Sequence, residues 1–133
     1  MVQGGTQLDI FDALSMDTDS QQILALIKRR VGRPNAISVD DISSSSGISP
    51  RVVRDIVKGL IEHHHIRIGS ALGRPSGYYM IATQEEADAN EATLRHLAIS
   101  ILTRAAVLKK LTVREYLKEV QGEMFQGTQG TGA

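Results

Sequence analysis

The amino-acid sequence predicts a mainly α fold with a small β-hairpin and a long C-terminal helix. Three observations carry that prediction. Residues 38 to 61 hold two short helical segments, the first ended by a glycine and the second restarted by Ser49-Pro50. Residues 66 to 81 hold two β-prone runs around a loop rich in Gly, Ser and Pro. From Leu94 to Leu111 apolar residues recur at spacings of three and four, the period of an amphipathic helix.

Taken in order, residues 1–18 read as a flexible arm. The first helix is expected over 20–31 with Ser20 as its cap. Ile23, Leu24, Leu26, Ile27 and Val31 supply its buried face, and Lys28-Arg29-Arg30 close it where cations meet the negative end of the helix dipole. Those bases serve the dipole or a phosphate contact, and the sequence leaves both open. Gly32-Arg33-Pro34-Asn35 then breaks the helix, and Ile37 is placed to add a short third strand.

Ser38 is a good N-cap for the second helix, with Asp41 three residues on as a weak stand-in for the Glu of a capping box. Gly47 can take the left-handed conformation that ends it, Ile48 plugs the turn, and Ser49 and Pro50 serve as cap and first residue of the third helix. That helix sorts itself by face. Val52, Val53, Ile56, Val57, Leu60 and Ile61 form an apolar stripe, while Arg51, Arg54, Asp55 and Lys58 fall at i, i+3, i+4 and i+7 on the other side. Ile66-Arg67-Ile68 and Tyr78-Tyr79-Met80-Ile81 are the strands of a hairpin. Thr83 caps a long helix over about 84–110, acidic at its start and basic at its end; Thr112 caps a second, over about 113–121; and 122–133 reads as a disordered tail. The domain expectation is therefore an arm (1–18), a helix–hairpin domain (19–83), C-terminal helices that dimerise (84–121) and the tail.

Composition narrows the function classes. A chain of 133 residues without cysteine has no disulfide framework, thiolate metal site or cysteine nucleophile. No apolar run reaches the length of a signal-peptide core or membrane span, so a cytoplasmic location without membrane association is expected by elimination. Net charge is zero but unevenly spread. Residues 1–19 carry four acids and no base, whereas 20–83 carry nine bases against four acids, a local +5. Phosphate binding depends on local cations and counterion release, so that module is the candidate DNA-binding part.

The order helix, turn, helix, hairpin over roughly residues 20 to 83 resembles the winged helix-turn-helix superfamily, particularly small bacterial and phage DNA-binding proteins. The resemblance implies double-stranded DNA as partner, with the third helix in the major groove and the hairpin as wing. Ser49, Arg51, Arg54, Asp55 and Lys58 would then line the groove, with Arg67 and Arg74 on the wing. Gly32-Arg33-Pro34 and Gly73-Arg74-Pro75 look like the centre of an AT-hook, although the second flanking Arg is missing from both. Arg74 at a wing tip suits a narrow minor groove; Arg33 reads as a surface turn residue.

Gln7-Leu8-Asp9-Ile10-Phe11 resembles the bacterial sliding-clamp-binding pentapeptide, with Ile10 in place of Leu. The resemblance implies an extended peptide whose Gln7 hydrogen-bonds and whose apolar residues fill a clamp pocket. The plainer reading is that Leu8, Ile10, Phe11 and Leu14 staple the arm to the domain or to a second subunit. His63-His64-His65 has no further ligand at metal spacing, and the serines 43–46 have no His base, so neither a metal, a cofactor nor an enzymatic activity is expected. The expectation is a DNA-binding transcription regulator, with a clamp-tethered role in replication, or a winged helix used only for protein contacts, as the alternatives. The long apolar stripe can pack back on the winged-helix core or pair with a second subunit, and its width against a domain of about 65 residues favours a homodimer.

Overall fold

The structure, a computed structural model, describes residues 16–71 and 76–132, with 125–132 by backbone alone. It is mainly helical with one two-stranded antiparallel sheet among the described residues. Two compact units divide the chain, Met1–Asn90 and Glu91–Ala133, so the first turns of the long helix belong with the hairpin rather than with the C-terminal helices.

In the first unit, α1 (Thr18–Lys28) is capped by Asp17, whose side chain accepts the Ser20 N–H at 2.7 Å. Ser20 is thus the donor and not the cap, because a carboxylate is the stronger acceptor and its charge suits the positive helix end. The helix also stops short of residue 31. Arg30 N–H turns back to the Ile27 carbonyl at 2.8 Å, and Val31 forms a parallel bridge with Met80, which leaves its side chain 54% exposed. A 3-10 turn, Arg33–Asn35, comes next. Ile37 and Tyr78 then exchange N–H···O bonds at 2.9 Å in an antiparallel bridge, so the third strand expected at Ile37 is present as a single pair.

Helix α2 (Val39–Ser46) starts where Ser38 Oγ accepts the Asp41 N–H at 3.0 Å and ends at Gly47, whose φ of 76° is left-handed. Helix α3 (Pro50–Glu62) starts with Ser49 as cap and Pro50 in the first turn. Its end is tied by Ile66 N–H to the Leu60 carbonyl at 3.1 Å. That bond takes Ile66 out of the ladder, so β1 is Ile68–Ala71, later than the run of β-prone residues indicates. It pairs with β2 (Gly77–Met80) in the register Ile68↔Met80 to Ala71↔Gly77. Gly77 has a φ of 130°, and a Cβ there would run into the Ile37 carbonyl, so only glycine lets β2 meet the bridge strand so closely.

The core of this unit joins Ile23, Leu24 and Ile27 of α1, Ile37, Ile42 of α2, Val53, Val57 and Leu60 of α3, and Ile66 and Ile68. Each such side chain contributes about 1.5–3 kcal/mol of burial. Val52 and Ile61, read from the sequence as part of the buried stripe, are 41% and 36% exposed. They lie on the two flanks of α3, and the contact made by α1 and α2 is narrower than the apolar arc.

Helix α4 runs Gln84–Leu108. Its end folds over through Leu111 N–H to the Ala106 carbonyl at 3.0 Å, with Lys110 at φ 58° in the left-handed position usually given to glycine. A reciprocal capping box opens α5 (Val113–Gly132): Thr112 N–H donates to Glu115 Oε1 at 2.8 Å and Glu115 N–H to Thr112 Oγ1 at 3.2 Å. The backbone stays helical through 122–132, where composition points to disorder. No proline occurs after Pro75, so no residue there lacks an N–H donor.

Candidate nucleic-acid interface

Helix α3 presents three surfaces. Val53, Val57 and Leu60 face the core. Arg51, Asp55 and Lys58 are exposed on the opposite side, where successive residues at 100° put them within one arc with Glu62. Arg54 falls on the flank between these two, toward the hairpin. It lines an open concavity of about 320 Å³ with Ser38 and Asp40 from the start of α2 and Ser70, Ser76 and Tyr78 from the hairpin. Burial raises the Tyr78 hydroxyl above its ordinary pKa, and the positive charge of Arg54 opposes that rise. Arg54 therefore sits at the hairpin-facing edge of the charged arc rather than at its centre. The register that puts Tyr78 beside it is a long-range property that helical spacing does not encode.

Ser49 Oγ accepts the Val52 N–H at 3.4 Å, which uses one lone pair and leaves its O–H free to donate outward. Among the described residues, the ion pair within 4 Å is that of Arg95 with Glu91 at 3.0 Å, so no carboxylate neutralises Arg51, Arg54 or Lys58 at that range. These three cations and Asp55 share one side of the unit. Arg67 is not with them. Its carbonyl accepts the Ile81 N–H at 3.1 Å at the root of the hairpin, about 13 Å along the strand from Ala71, which borders the Arg54 concavity. Arg74 and the pentapeptide Gln7, Leu8, Asp9, Ile10 and Phe11 lie outside the described residues.

Sequence reasoning missed the residues that hold the hairpin in place. Glu86 accepts the Arg33 N–H and the Ala82 N–H, each at 2.8 Å, and these bonds hold its carboxyl below its ordinary pKa. Asn90 accepts the Ser70 N–H at 2.9 Å and donates at 2.8 Å to both the Tyr79 hydroxyl and the Glu86 carbonyl. Thus the first turns of α4 cover the outer edge of β1. Both residues read as ordinary polar positions on a solvated helix, and their partners are 53 and 20 positions away.

The second unit is different in kind. Among its described residues the one buried apolar side chain is Ala106, whereas Leu94, Leu97, Ile101, Val107 and Leu108 are each more than half exposed. No helix of the described residues is long and apolar enough to cross a membrane, and no group of three or more His, Asp or Glu among them is placed to hold a metal ion. Comparison with protein-family models, curated proteins and solved structures finds no match to this chain.

Proposed function

We propose that this chain is a winged helix-turn-helix protein that binds double-stranded DNA as a homodimer and regulates transcription, of the small bacterial or phage type. One observation carries the reading: Arg51, Asp55 and Lys58 are exposed together on the outward face of α3, with Arg54 on the flank of that face lining a concavity shared with the hairpin. A helix so arranged fits the major groove, where guanidinium groups pair with guanine and a carboxylate accepts from a cytosine amino group. Asp55 repels phosphate, so the face is suited to sequence preference more than to backbone coating. The uncovered apolar side chains of α4 fit a second copy of the chain, which would present two reading helices to two half-sites.

Selection of bound duplexes from a random pool tests this. The full chain should enrich a sequence, and Arg51→Ala with Arg54→Ala and Lys58→Ala should remove the enrichment. A full chain that enriches nothing above the input overturns the reading.

A role in replication rests on one separate observation, the Gln7-Leu8-Asp9-Ile10-Phe11 pentapeptide. A peptide spanning Gly5 to Leu14 should bind a bacterial sliding clamp with a Kd on the order of micromolar, since it must be ordered while burying only two or three apolar side chains. Phe11→Ala should abolish that binding. A peptide that ignores the clamp leaves transcription control as the function.

A further inference from the structure

A second group of cations lies away from the outward face of α3. Lys28 ends α1, Arg29 caps it and Arg30 follows, Arg33 opens the 3-10 turn and Arg67 precedes β1; all five are exposed. The backbone fixes their positions. Met80 N–H donates to the Arg30 carbonyl at 2.7 Å, Gly32 N–H to the Met80 carbonyl at 2.9 Å, and Ile81 N–H to the Arg67 carbonyl at 3.1 Å. The end of β2 is therefore flanked by Arg30 on one edge and Arg67 on the other, about 10 Å apart across two inter-strand spacings. Glu86 holds the Arg33 N–H at 2.8 Å and so anchors the turn. Because Ile23, Leu24 and Ile27 pack in the same core as Val53, Val57 and Leu60, α1 lies behind α3 and its C-terminal cations do not share the outward face of that helix.

The helix dipole accounts for a base or two in the last turn of α1. It does not account for Arg33 or Arg67, which belong to other segments. Glu86 is the acid bonded to this loop, and its two oxygens are engaged by backbone N–H groups. Among the described residues, none of the five charged side-chain groups forms an ion pair within 4 Å, Glu86 meeting Arg33 only through its backbone N–H. Arg30 donates one bond, to the Asn35 carbonyl at 3.4 Å, which leaves most of its guanidinium free. Four of the five are Arg, whose planar fork matches phosphate oxygens, and the group includes no aromatic ring on which an unpaired base would stack.

We propose that Lys28, Arg29, Arg30, Arg33 and Arg67 form a second duplex-DNA contact that grips the phosphate backbone without regard to sequence, on a surface separate from the outward face of α3. A chain reading one site through α3 would hold a second duplex segment at its back. The proposal does not depend on α3 being the reader.

The test is a salt titration of the full chain on short duplexes of arbitrary sequence. Replacing all five cations by Ala should flatten the slope of log K against log salt by about 2–4, since each lost phosphate contact removes about 0.9. The variant carrying Arg51→Ala, Arg54→Ala and Lys58→Ala should keep salt-sensitive duplex binding, and combining the two sets should abolish it. Replacing Arg29, Arg30, Arg33 and Arg67 by Lys should restore most of the slope, which a merely structural loss would not. An unchanged affinity and slope in the five-Ala variant overturns the proposal, as does failure of the Lys set to restore them. Binding of polyglutamate by the parent chain, lost in the five-Ala variant while duplex binding persists, also overturns it in favour of an acidic protein partner. If the α3 variant binds and selects DNA like the parent while the five-Ala variant does not bind, this proposal stands and the assignment of α3 as reader falls.

Discussion

Asn90 and Tyr79 meet in a 2.8 Å hydrogen bond, the amide of the helix residue donating to a phenol whose ring is buried against Gly69. The same amide group accepts through its oxygen from Ser70, so one side chain satisfies an edge-strand N–H and orients the largest core residue. Tyr79→Phe removes the acceptor while keeping the ring. We expect a loss of about 1 kcal/mol, the usual net value of such a bond, measured by urea denaturation. A variant as stable as the parent would show that the ring packing alone holds the hairpin to α4.

Gly77→Ala should cost more than Gly47→Ala, although both glycines have positive φ. At Gly47 nothing lies within 4 Å of an added Cβ, so the cost is the left-handed backbone alone, about 1–2 kcal/mol. At Gly77 the added atom also meets the Ile37 carbonyl and lies 2.8 Å from the Ser38 Cα, which forces the bridge strand and the α2 cap to move. Overpacking of that kind adds about 1–3 kcal/mol. Thermal denaturation that ranks the two variants the other way would refute the close approach.

Glu86 makes stability depend on acid. Bonds from the Arg33 and Ala82 N–H groups lower its pKa below the ordinary 4.5, so the folded chain holds fewer protons than the unfolded one in that range. The resulting stabilisation is complete above the ordinary value and disappears as pH falls through the lowered one. Glu86→Ala should therefore be less stable than the parent at neutral pH, and the gap should close on acidification below about 4.5. Denaturation curves in which the gap stays constant would exclude the carboxylate as its source.

Ile101 is 51% exposed amid the apolar residues of α4. If a second copy covers that face, Ile101→Asp places a charge in it without a partner, and the variant should sediment as a monomer or unfold. The decisive control is the parent. Sedimentation as a monomer at micromolar concentration would remove the dimer, whatever the variant does.

Much of the first unit was legible because its signals are local. Ser38, Gly47, Ser49 and Pro50 mark helix ends through bonds and dihedrals that span a few residues at most, and each sits where those local signals put it. What was not legible depends on distant partners. The exposure of Val31 reflects its bridge to Met80, the flank position of Arg54 matters because Tyr78 faces it, and the use of Glu86 and Asn90 requires the hairpin to be beside α4. The continuation of α5 past Gly122 was obscured for the opposite reason: glycine and threonine lower helix propensity, but lower propensity is not a stop.

Helix α4 is continuous in hydrogen bonding yet belongs to two units, and the division falls at Asn90. Up to that residue its amides are locked to the fate of the hairpin, so their exchange with solvent deuterium should require the whole first unit to open. Past it, wherever no second copy covers the apolar face, each turn can open on its own at far smaller cost. Among the described residues, a protease digesting the unpartnered chain would accordingly find its first cuts beyond Asn90. The surviving fragment would be a self-sufficient domain, and a foreign helix grafted on in phase after Asn90 would inherit it intact.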